Sequence, residues 1–587
     1  MPSNKIILVL MAVKDISFKI LIQEPHLHTY QVEMRFLSTK KGKIPLRIPT
    51  WSAGSYMIRD YAGNLFDFDA FDENGVRIQW VQNDLSEWKL SAEKPGFITV
   101  KYKVFGFENT VRTNFLNSSF GFINPPSTFL HPKSKLHKPV KVSIECGSLF
   151  SETYCSLKRE ENFFTAEDYD ELYDSPFLIT NAKSHTFEAS GCHHEIVIQG
   201  DFPEKKKKKF FENLEAIVNY QSEIFEGNPN RYYLFILNVY EDVYGGLEHK
   251  SCSVNAFDIS DMDTVSEYQK MLSLLCHEYF HLWNVKRIRP ESLVSFDYFT
   301  PNLTRELWIS EGITSFYDNY ILYKIGIMSK NDWLNEVLSD INRLADSSGE
   351  DYMSLEEASF TAWTKYYRQN PNSHNVSISY YIKGFLLSLC MNISILEQTD
   401  GRKNLMHLMR ALYRKYHLKK NKGFTKQEFF RTAEEEFGFD LQAEFEQYIS
   451  EKKRIPAEFY LDKLGIKLAK TMKKSVFPFE VKTESGKQII SKIFSQWSIP
   501  DLEIGDELIG INSRRVSRDV FEKLKLSLPD SSEAELILSR KGRIFYAKVE
   551  TKMIYTYQIT YPVLEEDFEE IFRTNRIAEC FFRREAL

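Results

Sequence analysis

The segment His277-Glu278-Tyr279-Phe280-His281 constrains this chain more than any other feature. It follows an apolar pattern at helical spacing whose start signal is Thr264-x-x-Glu267, the form of a capping box. Residues four apart lie on the same face of a helix, so both imidazoles can bind one metal ion. Glu278 is about 100° round the helix from His277, where it can act as a general base beside the metal. The spacing therefore predicts a zinc site on a helix.

A five-residue pattern of this kind also occurs by chance, with the histidines simply packed on a helix. Here the half of the helix that carries the histidines is apolar nearly all round, which indicates that it is buried. Its apolar residues are Leu274, Leu275, Cys276, Tyr279, Phe280, Leu282 and Trp283. Two buried imidazoles and a buried carboxylate need partners, and a metal ion supplies them.

A catalytic zinc takes three protein ligands and keeps one position open. The best candidate for the third ligand is Glu311, because the segment Leu307–Tyr317 has the pattern of a second buried helix, where an uncompensated carboxylate is unfavourable. Glu306 lies five residues earlier and points elsewhere on that helix. Glu291 and Asp297 lie in a stretch that prolines interrupt, which is typical of a loop. One zinc per chain is expected.

The residues around both segments resemble the glycyl aminopeptidase family of zinc metallopeptidases. The resemblance rests on H-E-Y-F-H-L-W-N-V-K-R-I-R-P from His277 and D-Y-F-T-P-N-L-T-R-E-L-W-I-S-E-G-I-T from Asp297, and W-S-A-G-S-Y-M-I-R-D-Y from Trp51 is similar to the family's N-terminal domain. Members are gluzincins, related in catalytic fold to thermolysin and to the alanyl-type aminopeptidases, and they carry a C-terminal PDZ domain. The resemblance implies His277, His281 and Glu311 as zinc ligands and Glu278 as the base.

Paired glycines mark a second stretch, Tyr244-Gly245-Gly246-Leu247-Glu248-His249, directly after an apolar strand pattern. Gly245 and Gly246 would let another backbone approach closely, and Glu248 would lie on an edge that faces the cleft. From the residues alone the stretch is typical of a loop. The resemblance implies the counterpart of the G-x-M-E-N strand of alanyl-type aminopeptidases, whose Glu binds the substrate's free amine. His249 replaces the Asn of that strand, and its role stays open.

Two adjacent tyrosines occur in S-Y-Y-I-K-G, Ser379 to Gly384, ahead of the apolar helix predicted from Phe385 to Ile395. Tyrosines in such a position are most often structural. The Y-x-K-G pattern resembles the aminopeptidase motif whose Tyr donates a hydrogen bond to the developing oxyanion, which implies that role for Tyr381. Tyr380 is the alternative.

The periodicity predicts a multidomain α+β protein. Short alternating strands separated by turn residues indicate an all-β domain over residues 14–188. Residues 189–455 begin with strands and become mainly helical, as in a thermolysin-like catalytic domain. Residues 456–553 return to β alternation, and G-D-E-L-I-G-I-N from Gly505 is similar to a PDZ domain. The tail, residues 554–587, carries mixed charges and no assignment.

A PDZ groove binds an extended peptide as an added strand, so a peptide at this domain is a second expected partner. The chain has no clear carboxylate-binding G-L-G-F loop, and Leu464-Gly465-Ile466 is the nearest match.

The composition excludes some functions. A net charge of −6 gives no support for nucleic-acid binding. The apolar run Ile6 to Val13 is too short to span a membrane and is followed by Lys14 and Asp15 without a cleavage site, so neither a signal peptide nor a membrane association is expected. Seven cysteines without regular spacing favour a reduced, cytoplasmic setting.

The sequence thus predicts a zinc metallo-aminopeptidase that hydrolyses the first peptide bond of peptides with a free amino terminus, with a preference for small residues such as glycine implied by the family. One alternative is a zinc endopeptidase of the same fold. Another is an inactive relative that binds peptides through its PDZ domain. An inactive relative would be free to lose the base or a ligand, and this chain has kept both.

Overall fold

The computed structural model describes residues 16–133, 136–497, 499–526, 532–562 and 565–584. The apolar run Ile6 to Val13 lies outside the described residues. The chain folds as two compact units, Met1–Leu282 with Ser295–Asn302, and Trp283–Val294 with Leu303–Leu587.

The first unit opens with an all-β domain of three sheets, as predicted. Their strand orders are β13-β14-β11-β1-β2-β7-β4, β10-β3-β6-β5 and β12-β15-β9-β8. The strands are β1 (Ile16–Leu21), β2 (Thr29–Ser38), β3 (Gly42–Arg47), β4 (Leu65–Asp72), β5 (Trp80–Asp84), β6 (Glu87–Ala92), β7 (Gly96–Phe105), β8 (Phe115–Leu116), β9 (Phe120–Ile123), β10 (His131–Pro132), β11 (Val140–Glu145), β12 (Glu152–Tyr154), β13 (Lys158–Glu160), β14 (Phe163–Ala166) and β15 (Phe177–Thr180), with one helix, α1 (Tyr169–Tyr173).

Alternation of buried and accessible residues explains why these segments form strands. In β1 every second residue is buried, and β2 pairs with β1 and β7 over its length with its own buried residues on the same face. Such a period of two lets one face of the sheet cover a core while the other meets solvent. Three short 3-10 turns complete the domain: Pro25–Leu27, Tyr61–Asn64 and Pro125–Ser127.

A five-stranded sheet follows within the same unit, in the order β16-β17-β18-β20-β19. Its strands are β16 (Ser184–Ala189), β17 (Cys192–Gly200), β18 (Tyr232–Tyr240), β19 (Gly245–Glu248) and β20 (Cys252–Asp258), and its helices are α2 (Glu204–Ile224) and α3 (Val265–Phe280). β16 begins at Ser184, so the domain boundary predicted at residue 188 falls inside this strand. β19 lies at one edge of the sheet, and within the described residues it pairs with β20 alone, in an antiparallel manner.

The second unit is mainly helical up to residue 463, in agreement with the predicted helical catalytic region. Its helices are α4 (Ile313–Lys324), α5 (Lys330–Ala345), α6 (Leu355–Phe360), α7 (Ala362–Lys365), α8 (Ser373–Val376), α9 (Tyr380–Gln398), α10 (Leu405–Leu412), α11 (Lys426–Phe437), α12 (Leu441–Ser450) and α13 (Ala457–Lys463), with π-helical turns at Trp308–Gly312 and Tyr413–Lys419. The segment Ser373–Gln398 is apolar enough by composition to cross a membrane, but 83% of its most apolar window is buried inside the protein. It is the core helix of this unit.

The C-terminal part of this unit is a β domain with a helical end. A sheet in the order β22-β23-β24-β26-β27, with β25 paired to β24, stands beside a ribbon of β21 and β28. The elements are β21 (Lys467–Val476), β22 (Phe479–Glu484), β23 (Lys487–Ile493), β24 (Glu507–Ile511), β25 (Arg514–Arg515), α14 (Arg518–Leu526), β26 (Glu533–Arg540), β27 (Arg543–Glu550), β28 (Lys552–Tyr561), α15 (Glu565–Thr574) and α16 (Arg576–Phe582).

The tail that had no assignment from residue 554 is therefore half of a β ribbon followed by two helices. The end of α16 is held by α4, since Tyr320 and Tyr323 donate hydrogen bonds to the carbonyls of Phe581 and Phe582. Leu464 and Ile466 are fully buried, and Gly465 lies against Ile571 of α15. This nearest match to a carboxylate-binding loop is thus a packing segment.

Candidate active site

Helix α3 carries the two histidines of the H-E-x-x-H segment. It begins where the capping pattern predicts, because the Thr264 hydroxyl accepts a hydrogen bond from the Glu267 N–H. Leu272, Leu275 and Cys276 before the motif are fully buried, whereas Leu274, which was predicted to be buried, is only half-buried. The rings of His277 and His281 lie 4.6 Å apart at nearly right angles. The helix therefore presents both imidazoles from one buried face.

Tyr279, between the two histidines, fixes the helix to the sheet behind it. Its hydroxyl lies 2.9 Å from Nε2 of His194 on β17 and accepts a hydrogen bond from Asn228. Burial lowers the pKa of His194 to about 4, so this ring is neutral. Its Nε2 can therefore accept a hydrogen bond from the Tyr279 hydroxyl. The middle of the motif is thus positioned by a buried polar network that the sequence patterns did not reveal.

One donor atom from each of His277, His281 and Glu311 lies within 4.8 Å of the others, and all three residues are buried. Two imidazole nitrogens and one carboxylate oxygen form the donor set of a catalytic zinc with one open position. The residues predicted as ligands therefore fit the metal. A second buried group of donors within the same distance is Glu248, Glu278 and His281.

Glu311 lies in a π-helical turn, Trp308–Gly312, where a regular helix was predicted. Such a wide turn leaves backbone carbonyls without their usual helical partners. The side-chain amide of Asn284 donates to the carbonyls of Ile309 and Ser310, and the Thr314 hydroxyl also donates to Ser310. These bonds stabilise the turn that presents the carboxylate.

Two glycines let this turn approach helix α9. A Cβ on Gly312 would lie 2.5 Å from Cα of Gly384, a distance that no real side chain tolerates. The contact brings Tyr381 within electrostatic reach of Glu311. Burial, and after it the Glu311 charge, raise the pKa of Tyr381 well above its ordinary value, so its hydroxyl keeps a proton to donate.

Helix α9 begins at Tyr380, five residues before the predicted start, with Ser379 as the N-cap. Both tyrosines therefore lie in its first turn. Tyr380 is fully buried and its ring lies 5.0 Å from that of Tyr366, whereas Tyr381 is half-buried with its hydroxyl 3.5 Å from that of Tyr367. Tyr366 and Tyr367 are site neighbours that sequence reasoning missed.

The lysine of the Y-x-K-G pattern has a structural position. Lys383 is fully buried, 2.9 Å from the carboxylate of Glu350, and donates to the carbonyl of Lys453. Burial lowers its pKa, and the Glu350 charge opposes that shift. The pair ties α9 to the residues around it.

Glu248 lies on the edge strand β19 and not in a loop. It is 5% exposed, as is Glu278, and an oxygen of each lies within 4.8 Å of the other and of a His281 nitrogen. Two buried carboxylates this close repel each other unless a cation is nearby. The pair therefore indicates a place for positive charge.

Gly246 leaves the space that the Glu278 carboxylate occupies. A Cβ at this position would lie 1.9 Å from Oε1 of Glu278 and 2.3 Å from its Cδ. Leu247, on the opposite face of the strand, packs in the core cluster that contains Val111 and Phe122 of the N-terminal domain. Gly246 was predicted to admit another backbone, and the structure adds that the space of its missing side chain holds a carboxylate.

The N-terminal domain reaches this strand at three points that the sequence did not reveal. A Cβ on Gly54 would lie 2.6 Å from both carboxylate oxygens of Glu248, and Arg112 donates from Nη2 to the carbonyl of Gly246 at 2.8 Å. Asp174 accepts hydrogen bonds from the Lys250 N–H and, at 3.0 Å, from Nδ1 of His249. His249, whose role was open, thus anchors the hairpin that follows Glu248.

Two models of one peptidase family match the chain. The M61 glycyl aminopeptidase model matches residues 270–387, a range that holds the two histidines, Glu278, Glu311 and Tyr381. The peptidase M61 N-terminal domain model matches residues 17–181, which hold Gly54 and Arg112. No curated protein matched the chain.

Three solved structures are similar to the chain to different degrees. An aminopeptidase N family protein from Idiomarina loihiensis is similar at a TM-score of 0.87 and 24% identity, over 93% of this chain and 98% of that one. An M1 zinc metallopeptidase from Deinococcus radiodurans is similar at 0.47 and 10%, over 75% and 94%. Native yeast LTA4 hydrolase is similar at 0.44 and 12%, over 78% and 72%.

The first of these structural likenesses shows the fold, and the family assignment rests on the two domain matches. They cover the N-terminal β domain and the segment that carries the H-E-x-x-H helix. The chain therefore contains an N-terminal domain and a peptidase segment of the M61 glycyl aminopeptidase type.

Proposed function

We propose that this protein is a zinc-dependent aminopeptidase that removes the first residue of peptides with a free amino terminus. The donor set His277, His281 and Glu311 supports one zinc ion per chain. The buried carboxylate pair Glu248 and Glu278 supports a substrate that brings its own positive charge, and an amino-terminal ammonium is such a group.

One observation favours an aminopeptidase over an endopeptidase. The turn Ser52–Ser55 of the N-terminal domain, closed by a hydrogen bond from the Ser55 N–H to the Ser52 carbonyl, lies against the Glu248 carboxylate. Its third residue, Gly54, has a φ of +86°, which is the geometry of a type II turn. A peptide that continued past its amine at Glu248 would meet this turn. The turn therefore favours binding of a chain end.

The residues divide the chemistry among them. Bound zinc would polarise the scissile carbonyl and acidify water. Glu278 accepts the proton of the attacking water and passes it to the leaving amine. Tyr381, which keeps its proton, donates a hydrogen bond to the developing oxyanion. Glu248 holds the ammonium of the first residue, so that only the first peptide bond reaches Glu278.

The test compares free and blocked substrates. A peptide with a free amine should be cleaved at its first bond, and the same peptide acetylated at its amine should not be cleaved. Glu248→Gln, which keeps the shape and removes the charge, should raise KM for the free peptide roughly 10- to 100-fold, the scale of a hydrogen bond to a charged group. If the acetylated peptide were cleaved internally as fast as the free peptide, the aminopeptidase assignment would be wrong, and the assignment as a peptidase would still hold.

The family description supports glycine, or another small residue, as the preferred first residue. Comparing amides of glycine, alanine and leucine as substrates tests this point, and a leucine amide turned over faster than the glycine amide would contradict it.

The proposed zinc ion is tested by metal analysis of the purified protein. We also propose a cytoplasmic setting, which the lack of disulfides among the seven cysteines supports; fractionation of cells tests it.

We further propose that the C-terminal β domain is PDZ-like and binds a peptide. A cavity of about 200 Å³ lies beside β22 and α14, and four aromatic residues, Phe477, Phe479, Phe494 and Trp497, line it together with Lys525. Asp346 and Glu480 also line this groove, and Lys525 pairs with Glu522 at 3.2 Å, so the proposal rests on the aromatic side chains, which suit an extended peptide. Titration of Trp497 fluorescence with peptides that carry a free or an amidated carboxyl end tests this. No response to either peptide contradicts the proposal.

A further inference from the structure

The hydrogen-bond pattern of the edge strand decides which backbone groups face a substrate. The His249 N–H donates to the Cys252 carbonyl, which makes these two residues a hydrogen-bonded pair of the hairpin. Such pairs alternate along an antiparallel ladder. Glu248 and Gly246, opposite Ser253 and Asn255, therefore point their N–H and C=O groups away from β20, toward the open edge.

Arg112 occupies that open edge at Gly246. Its Nη2 donates to the Gly246 carbonyl at 2.8 Å, and its Nη1 lies 3.5 Å from the position of a Cβ on Gly245. The guanidinium thus runs along the strand from Gly246 toward Gly245, on the side away from Glu248. A strand added at this edge would meet it after two residues.

Hydrogen bonds from its own domain hold the backbone of Arg112 in place. Its own carbonyl accepts hydrogen bonds from the Tyr61 hydroxyl at 3.1 Å and from the Asn124 side-chain amide at 2.7 Å. Val111, the preceding residue, is buried in the cluster that also contains Leu247 of the edge strand. Arg112 and the strand therefore form one rigid piece, although 134 residues separate Arg112 from Gly246.

Most of the donors of this guanidinium remain unused. Within the described residues Arg112 forms no salt bridge, and its buried Nε makes no hydrogen bond. A half-buried guanidinium favours a carboxylate, which can take two of its N–H groups at once. The site thus has an anion position at the end opposite to the ammonium position at Glu248.

The spacing of the two positions matches a short substrate. Gly246 lies two residues from Glu248, about 7 Å along a strand. A dipeptide also extends about 7 Å between its amine and its carboxylate. An extended dipeptide with its ammonium at Glu248 would therefore place its carboxylate at Arg112.

We infer that Arg112 is a substrate-binding residue that holds the terminal carboxylate of a dipeptide, and that dipeptides are the preferred substrate class of this enzyme. The inference rests on the proposed aminopeptidase function. A longer peptide places a neutral carbonyl at Arg112 instead, and it must leave the strand direction there because the arginine already uses the Gly246 carbonyl. It loses a charge-assisted bond and keeps the ammonium bond.

The experiment uses Gly-Phe and Gly-Phe amide, which differ only in the charge at the carboxyl end. The full-length zinc-loaded enzyme should show a kcat/KM roughly 10- to 100-fold higher for the acid than for the amide. Arg112→Gln, which can still donate to Gly246, should bring the ratio of the two rates down to about one, mainly by slowing the acid. Arg112→Lys should restore part of the preference. Arg35→Gln, an exposed arginine on β2 of the same domain, is the matched control and should change neither rate.

Three results would overturn the inference. They are an unchanged ratio in Arg112→Gln, an equal fall for both substrates in that variant, or an amide preference in the parent. An equal fall would mean that Arg112 only supports the strand. Failure of the aminopeptidase function itself shows differently, because acetylated Gly-Phe would then be cleaved as fast as Gly-Phe whatever the ratio of acid to amide. Circular dichroism and zinc content of each variant confirm that the comparison concerns folded enzyme.

Discussion

The edge strand Gly245–Glu248 and the π-helical turn Trp308–Gly312 each present one buried carboxylate, but glycine serves them differently. On the strand, a Cβ at Gly246 would meet the Glu278 side chain, from its Oε1 at 1.9 Å to its Cγ at 2.6 Å, and this side chain would have to move. In the turn, a Cβ at Gly312 would meet the backbone of Gly384, which cannot move without the helix. The first contact controls the place of the Glu278 carboxylate, and the second controls the packing of the turn on helix α9.

The difference shows where function and stability separate in this molecule. The strand side depends on soft contacts between glycine and carboxylate, at Gly246 with Glu278 and at Gly54 with Glu248. The turn side depends on backbone contact and on the hydrogen bonds of Asn284. Substitutions on the strand should therefore change kinetics in a folded enzyme, and substitutions in the turn should change stability or metal binding as well.

The largest expected effect is on the turn side. Glu311→Ala should abolish both zinc binding and hydrolysis, because two histidines alone leave the metal with too few protein ligands. Metal analysis after dialysis and a peptidase assay check this together. Glu306→Ala removes the other glutamate of the segment, whose carboxylate accepts from Thr304 and Arg305, and should keep both properties. Zinc retained in Glu311→Ala and lost in Glu306→Ala would identify a different third ligand.

Local spacing explains what the sequence could reveal of this site. The two histidines of the H-E-x-x-H segment are four residues apart and lie on one buried face. A pattern of that kind depends only on residues close together in the chain. Local spacing could not predict the π-helical turn, because Asn284, which stabilises it, lies more than twenty residues earlier in the sequence. The start of α9 was predicted five residues late, since the cap at Ser379 precedes two aromatic residues that are common outside helices.

Contacts from the N-terminal domain were missed for a related reason. Gly54 and Arg112 have no recognisable local pattern that points to a peptide site. Gly54 and Arg112 become relevant to the site only because folding places them against Glu248 and Gly246, which lie more than a hundred residues away in the sequence. Family resemblance named the region around Trp51 without giving it a role. Only the structure shows that this domain contacts the strand Gly245–Glu248 at these two residues.

A smaller effect is expected on the strand side. Gly246→Ala should lower kcat at least about 10²-fold, since displacement of a base by about an ångström has that effect on rate. Zinc should stay bound, and the melting temperature should fall less than in Gly312→Ala, because the added methyl meets a side chain and not a backbone. Steady-state kinetics with thermal unfolding checks both parts. Glu278→Gln removes the proposed base without moving the side chain. Its loss of kcat is therefore the largest loss that Gly246→Ala can cause by displacing that base.

Two alanine variants serve as controls for that prediction. Gly63→Ala adds the same methyl where no atom lies within 4 Å, and it should change neither rate nor stability. Gly312→Ala should destabilise the protein by about 1–3 kcal/mol or more, the range for overpacking in a dense core. If Gly246→Ala unfolded the protein as Gly312→Ala is expected to, the distinction between soft and rigid glycine contacts would be wrong.

The smallest expected effect belongs to Tyr381, which stands between the two kinds of contact. Its backbone is fixed by the first turn of α9 next to the rigid Gly312–Gly384 contact, but its hydroxyl is half-buried and acts only when the carbonyl oxygen becomes negative. Tyr381→Phe removes that one donor and nothing from the packing. We expect kcat to fall roughly 10²-fold, the scale for one oxyanion donor, with KM, zinc content and melting temperature close to the parent's. Tyr380→Phe is the matched control, because its ring is fully buried against Tyr366 and is oriented by packing. A fall in kcat in Tyr380→Phe, with Tyr381→Phe unaffected, would assign the oxyanion donor to the neighbouring residue and would contradict the placement that the charge of Glu311 beside Tyr381 supports.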